Sequence, residues 1–169
     1  MRLEPFCRIT MRYSQGSWHY PYGAGDDSEA LGFGQGAGEV SGEIEGKGIW
    51  ANYPRRRKDR VWTPNLRGVI STNDGDEILM SIHGQSVQER TTAGYRRAIL
   101  ARVELTSEAE RWRWLNSCFL VGEGEIDEGS EEWWLDTYVC VNERAQGPPA
   151  LGAEAPERFR QPARSESAD

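Results

Sequence analysis

Polar and apolar residues alternate one by one along most of this chain. A run with period two cannot present a continuous helix face, but it makes a half-buried strand. Residues 6–13 set the pattern, with Phe6, Arg8, Thr10 and Arg12 on one side and Cys7, Ile9, Met11 and Tyr13 on the other. Extended runs follow at 38–52, 60–72, 77–84, 95–105, 117–127 and 131–143, while 17–32 reads as loop and 53–59 as a basic turn. One stretch, 106–116, is helical in pattern. Ser107 and Glu110 have capping-box spacing, Trp112 and Leu115 form an apolar stripe, and Asn116 is placed to end the helix. Strands do not alternate with helices, so a parallel α/β sheet is excluded. The expected fold is all-β, a single antiparallel barrel or sandwich with one short helix before the last strands.

The strongest turn signal is Asp74-Gly75, the preferred two-residue hairpin loop. Such a loop pairs Thr72 with Glu77, Ile70 with Leu79 and Leu66 with His83. Asn65, Arg67, Val69, Ile78, Met80 and Ile82 then share one face. That face is mostly apolar with polar groups at one end, as small-molecule pockets are.

Glycine stands at nearly every second position from Gly32 to Gly48. Gly32-Phe33-Gly34-Gln35-Gly36-Ala37 matches a dinucleotide fingerprint formally. It lacks the preceding apolar strand and the following helix that would bring a helix N-terminus to a pyrophosphate. Parity explains more. Gly38, Val40, Gly42, Ile44, Gly46 and Gly48 fall on one face of the expected strand, Glu39, Ser41, Glu43, Glu45 and Lys47 on the other. Inward glycines either relieve crowding where a barrel bends or leave room for a ligand.

Residues 1–143 are read as the barrel domain. Residues 144–169, rich in Pro, Ala and charge, lack apolar periodicity and are read as a disordered tail. Among 169 residues, 27 acidic against 20 basic side chains give a net charge of −7. That field opposes sequence-independent nucleic-acid binding. No run is apolar enough for a signal peptide or a membrane helix, so a cytoplasmic location is expected. Cys7, Cys118 and Cys140 show no C-x-x-C spacing and read as reduced, buried thiols.

The run "GAGEVSGEIEGKGIW", then "NLRGVISTNDG" leading into "EILMSIHG", and finally "RWRWLNSCFLVGEGEID" follow one another in an order that resembles domain of unknown function family 3237. These are small calycin-like (lipocalin-like) β-barrels. The resemblance spans roughly residues 3–141. It implies an antiparallel barrel with a central cavity and a homodimer, and it supplies no activity. Asn65 stands where many members carry Asp, and His83 where Arg is common.

Candidate chemistry is sparse. His19 and His83 are the only histidines, no metal-ligand spacing occurs, and no cofactor is expected. A catalytic acid or base would come from His83, Glu123 or Asp136. Glu123 follows Phe119 and Val121 in parity and could enter the lumen. The paired carboxylates Glu43 and Glu45 read as solvated. Arg55–Arg57, Lys58 and Arg60, between Tyr53 and Trp62, read as a turn protecting a sheet edge, or as an anion site. The leading expectation is a barrel holding a small, largely apolar organic ligand in its lumen, lined by Trp50, Trp62, Asn65 and Arg67, with the Gly42, Ile44 and Gly46 face giving room. The alternatives are an isomerase, cyclase or hydrolase using the same cavity, and a packed barrel acting as an interaction module.

Overall fold

The computed structural model describes residues 1–23, 28–91, 94–127, 132–143 and 155–160. The strands are β1 (Arg2–Tyr13), β2 (His19–Tyr22), β3 (Ala30–Gly42), β4 (Gly46–Asn52), β5 (Arg55–Arg56), β6 (Val61–Thr63), β7 (Asn65–Thr72), β8 (Glu77–Thr91), β9 (Gly94–Thr106), β10 (Leu120–Asp127) and β11 (Glu132–Val141). Eight of them close an antiparallel barrel, in the order β1-β11-β10-β9-β8-β7-β4-β3, and the β1–β3 pairing seals the ring. β2, β5 and β6 extend one end of it, β2 and β5 along β3 and β6 along β8. Closure removes the exposed sheet edges that an open sheet of this length would have to protect. Among the described residues no helix is long and apolar enough to cross a membrane.

The alternation holds, but two of the expected runs divide: 60–72 breaks at Pro64 into β6 and β7, and 38–52 breaks at a turn. Residues 38–52 are a hairpin rather than one strand. β3 ends at Gly42 (φ 122°), and the chain returns through Glu43, Ile44 and Glu45. In β1 a register shift between Pro5 and Cys7 puts Phe6 inside together with Cys7, although they are neighbours. The buried Thr137 hydroxyl donates to the Cys7 carbonyl at 2.7 Å and accepts from the Cys7 N–H at 3.2 Å, satisfying the groups that the irregularity frees. Of the three thiols only Cys7 is buried, with burial pushing it up to about 12; Cys118 and Cys140 are only partly covered. The run read as loop at 17–32 contains β2 and the start of β3.

The β7–β8 hairpin corrects the expected faces. Gly75 takes φ 91°, its N–H bonds the Thr72 carbonyl, and the Thr72 N–H bonds the Asp76 carbonyl. The loop therefore has three residues, Asn73, Asp74 and Gly75, not two. Pairing shifts by one: Ile70 faces Ile78, Leu66 faces Ile82 and Asn65 faces His83. Because side chains alternate, a one-residue slip exchanges partners across the two faces. Leu66, Ile70, Ile78, Met80 and Ile82 point into the core, and Asn65, Arg67 and Leu79 point out.

At one end, here the helix end, a 3-10 helix (Glu110–Ser117) lies across the opening and buries Trp112, Trp114 and Leu115. Ser107 makes no box with Glu110. Its hydroxyl donates to the Glu77 carbonyl, and Asn116 folds back onto both backbone groups of Ser107 instead of ending the helix. Residues 155–160, expected to be disordered, dock here. Phe159 is 5% exposed, stacks on Trp114 at 5.4 Å and meets Phe6 edge-on at 5.6 Å. Arg158 pairs with Glu43. The rest of the expected tail lies outside the described residues.

Candidate functional site

From the helix end to mid-barrel the lumen is filled by aliphatic side chains: Ile9, Leu66, Ile70, Ile78, Ile82 and Leu135 are each no more than 2% exposed. The room expected beside Gly42, Ile44 and Gly46 is not there. Ile44 is fully buried, Gly42 sits at a turn, and a side chain on Gly46 would run into the Ser71 carbonyl. The glycines further along seat rings instead. The space a Cβ would take at Gly34 is held by the Trp18 and Tyr13 rings, and at Gly36 the Trp50 ring stands 2.6 Å from it.

Those rings belong to the opposite, aromatic end. A chain of ring contacts runs Trp133–Trp50 (5.8 Å), Trp50–Tyr13 (4.8 Å), Tyr13–Trp18 (4.7 Å), Trp18–Tyr20 (5.3 Å) and Tyr20–Trp62 (6.0 Å). The Arg97 guanidinium then lies 4.8 Å over Trp62. Strand parity brings Trp50 (β4), Ser86 (β8), Arg97 (β9) and Trp133 (β11) inward from four different strands. The short β6 strand places Trp62 opposite Ser86. The Asn52 amide donates to the Tyr13 hydroxyl at 2.9 Å, and its oxygen accepts from the Asn65 N–H at 3.0 Å. Burial pushes the Tyr13 phenol up to about 12, with the Asn52 hydrogen bond and the Arg97 charge pulling it down.

Three buried donors at this end have no hydrogen-bond partner among the described residues: the indole nitrogens of Trp50 and Trp133 and the Ser86 hydroxyl. They are 5%, 1% and 1% exposed. A folded chain rarely buries donors unpaired, because each forfeits its bonds to water, at about 1–3 kcal/mol. Trp112, at the helix end, carries another such nitrogen. The clustering at one end is what marks the site.

Of the residues expected to line a ligand, Trp50 and Trp62 meet at this end. Asn65 and Arg67 are on the outer wall for the register reason given above. Arg67 instead borders an open outer groove of about 500 Å3, with Ile49, Ala51 and Val69 among its lining. The three acid or base candidates are also outside. His83 is half-buried on the outer face, with Nε2 3.0 Å from the Ser81 hydroxyl. Glu123 is exposed and accepts from the Tyr138 hydroxyl, so its shared parity with Phe119 and Val121 was right and the face was not the lumen. Asp136 holds Arg8 in a two-pronged pair at 2.6 Å, which lowers its pKa, and Arg8 lies over Trp134. In the basic turn, Arg55 pairs with Glu29, and Arg56 lies 5.5 Å over Trp62, packed against the rim of the aromatic end. No group of three or more metal-ligating side chains occurs among the described residues.

Missed by sequence reasoning were Tyr13, Asn52, Ser86, Arg97 and Trp133. Ser86 could have been found by carrying the inward parity of Met80 and Ile82 two steps past Gly84.

Solved structures share this architecture. A β-barrel-like protein from Acinetobacter baumannii superposes with a TM-score of 0.70 at 15% identity, over 82% of this chain and 94% of its own. A protein of unknown function from Clostridium acetobutylicum gives 0.70 at 16%, over 82% and 97%. The likeness is one of fold. A weaker match, 0.57 at 15% over 82% and 92%, is to an enzyme from Penicillium herquei. These neighbours agree with the barrel that the family resemblance implied. No family model matches the chain, and no curated protein sequence does.

Proposed function

We propose that this barrel binds a small, largely apolar organic molecule at its aromatic end. The observation that carries the reading is the group of three unpartnered, buried donors, on Trp50, Trp133 and Ser86, set among rings that meet mostly edge-on. Aromatic faces supply area for a flat ligand, and a few convergent polar groups orient it. Trp18 and Tyr20 cover this end from the segment joining β1 to β3, and both retain solvent exposure, so entry runs past their rings.

Binding is favoured over turnover for this chain. His83, Glu123 and Asp136 stand outside the wall, and Tyr13, with a raised pKa, is a poor base at neutral pH. The Penicillium herquei neighbour is an enzyme, which raises turnover in the same end as the second reading.

A thermal-shift screen of aromatic fragments tests the site. Hits are expected, and Trp62→Ala is expected to weaken them about tenfold, through loss of one ring from the wall of the site. Arg67→Ala, in the outer groove, is expected to leave them unchanged. Hits lost in Arg67→Ala and kept in Trp62→Ala would move the site outside. A library without a hit in the low millimolar range would end the reading.

A further inference from the structure

The polar inventory of the aromatic end specifies what its ligand must offer. An indole N–H donates and never accepts. Trp50 and Trp133 each present one such unpartnered donor, their rings 5.8 Å apart and nearly perpendicular at 83°. The Ser86 hydroxyl, entering from β8, adds a third. The Tyr13 oxygen already accepts from Asn52, so its lone pairs are partly spent and its proton is the part left to give. The groups at this end that can only donate are the two indole N–H groups, and the unpartnered Ser86 hydroxyl can join them as a donor.

We infer that the molecule bound there is a flat aromatic compound carrying an acceptor oxygen with no donor of its own, a carboxylate or a ketone, received by the indole N–H groups of Trp50 and Trp133 and the Ser86 hydroxyl. The inference rests on the binding reading above and adds the chemical class. A donor-bearing ligand, an ammonium above all, would leave the indoles unpaired and add its own unsatisfied group. Sites built to hydrogen-bond one group reject analogues that leave buried polar atoms unpaired.

Four probes with one ring system test it by calorimetric titration of the full chain at pH 7: 2-naphthoate, 2-acetonaphthone, 2-ethylnaphthalene and 2-naphthylmethylammonium. The two acceptor probes are expected to bind at least about tenfold more tightly than the hydrocarbon, and the ammonium most weakly. Ser86→Ala is expected to erase about half of that preference on a logarithmic scale while moving hydrocarbon affinity less than threefold. Its melting temperature should equal or exceed that of the parent, since an unsatisfied buried hydroxyl is removed. Trp133→Phe, which keeps most of the ring, should act in the same direction. Equal affinity for the hydrocarbon and the acceptor probes would overturn the class while leaving the site standing, as would tightest binding by the ammonium. No binding by any of the four would overturn site and class together.

Discussion

Gly36→Ala is expected to lower unfolding free energy by about 3 kcal/mol, and Gly48→Ala to raise it or leave it unchanged. Both glycines belong to the β3–β4 hairpin, and neither has a positive φ, so backbone strain does not separate them. Space does. A Cβ on Gly36 would sit on the Arg12 carbonyl oxygen and 2.6 Å from the Trp50 ring, and a carbonyl of a paired strand cannot withdraw without breaking the ladder. Overpacking of that kind costs about 1–3 kcal/mol or somewhat more. On Gly48 the nearest atoms are 3.8 and 3.9 Å away, ordinary contacts, and alanine there narrows the unfolded ensemble, worth about 0.4–1 kcal/mol. Urea midpoints of the two variants measure the difference. Equal midpoints would mean that these glycines are not placed by close approach, and the seating of Trp50 would lose its explanation.

Truncation before Ala155 is expected to cost about 2 kcal/mol. Burying a phenylalanine contributes about 2–3 kcal/mol, and the ring pairs of Phe159 with Trp114 and Phe6 add about 1 kcal/mol each. Only part of that gain survives, because the docked segment gives up conformational freedom. Phe159→Ala should reproduce nearly the whole loss. Arg158→Ala should cost well under 1 kcal/mol, because its pair with Glu43 is half-exposed. A truncated chain melting with the parent would show that 155–160 do not cover the helix end.

Composition could not reveal this docking. Over 144–169 it averages a proline-rich, charged stretch in which one aromatic residue, Phe159, does the anchoring. An anchor is recognised only by its receptor, and Phe6 and Trp114 come together from opposite halves of the chain. Strand periodicity, by contrast, is a local property, which is why β1, β9, β10 and β11 were legible from alternation alone. The β7–β8 faces were not. Their assignment hung on whether Asp74-Gly75 closed a two-residue loop or Gly75 served as the third residue of a longer one, and that single residue decides which side of the wall Asn65 and Arg67 occupy. Trp50 and Trp62 are both buried, because large apolar side chains in alternating strands have few other places to go. The unpartnered donors were invisible, since every tryptophan nitrogen has the same chemistry until its neighbours are known.

The most direct measurement is a nitrogen-15 correlation spectrum of the seven tryptophan indole N–H groups, with and without 2-naphthoate. Trp112 is an internal control, because its nitrogen is equally buried and unpartnered but lies at the helix end. The expected result is that the Trp50 and Trp133 resonances move with added ligand and saturate together while Trp112 stays still. Movement of Trp112 with Trp50 and Trp133 unmoved, or no movement of any indole at saturating ligand, would contradict binding at the aromatic end.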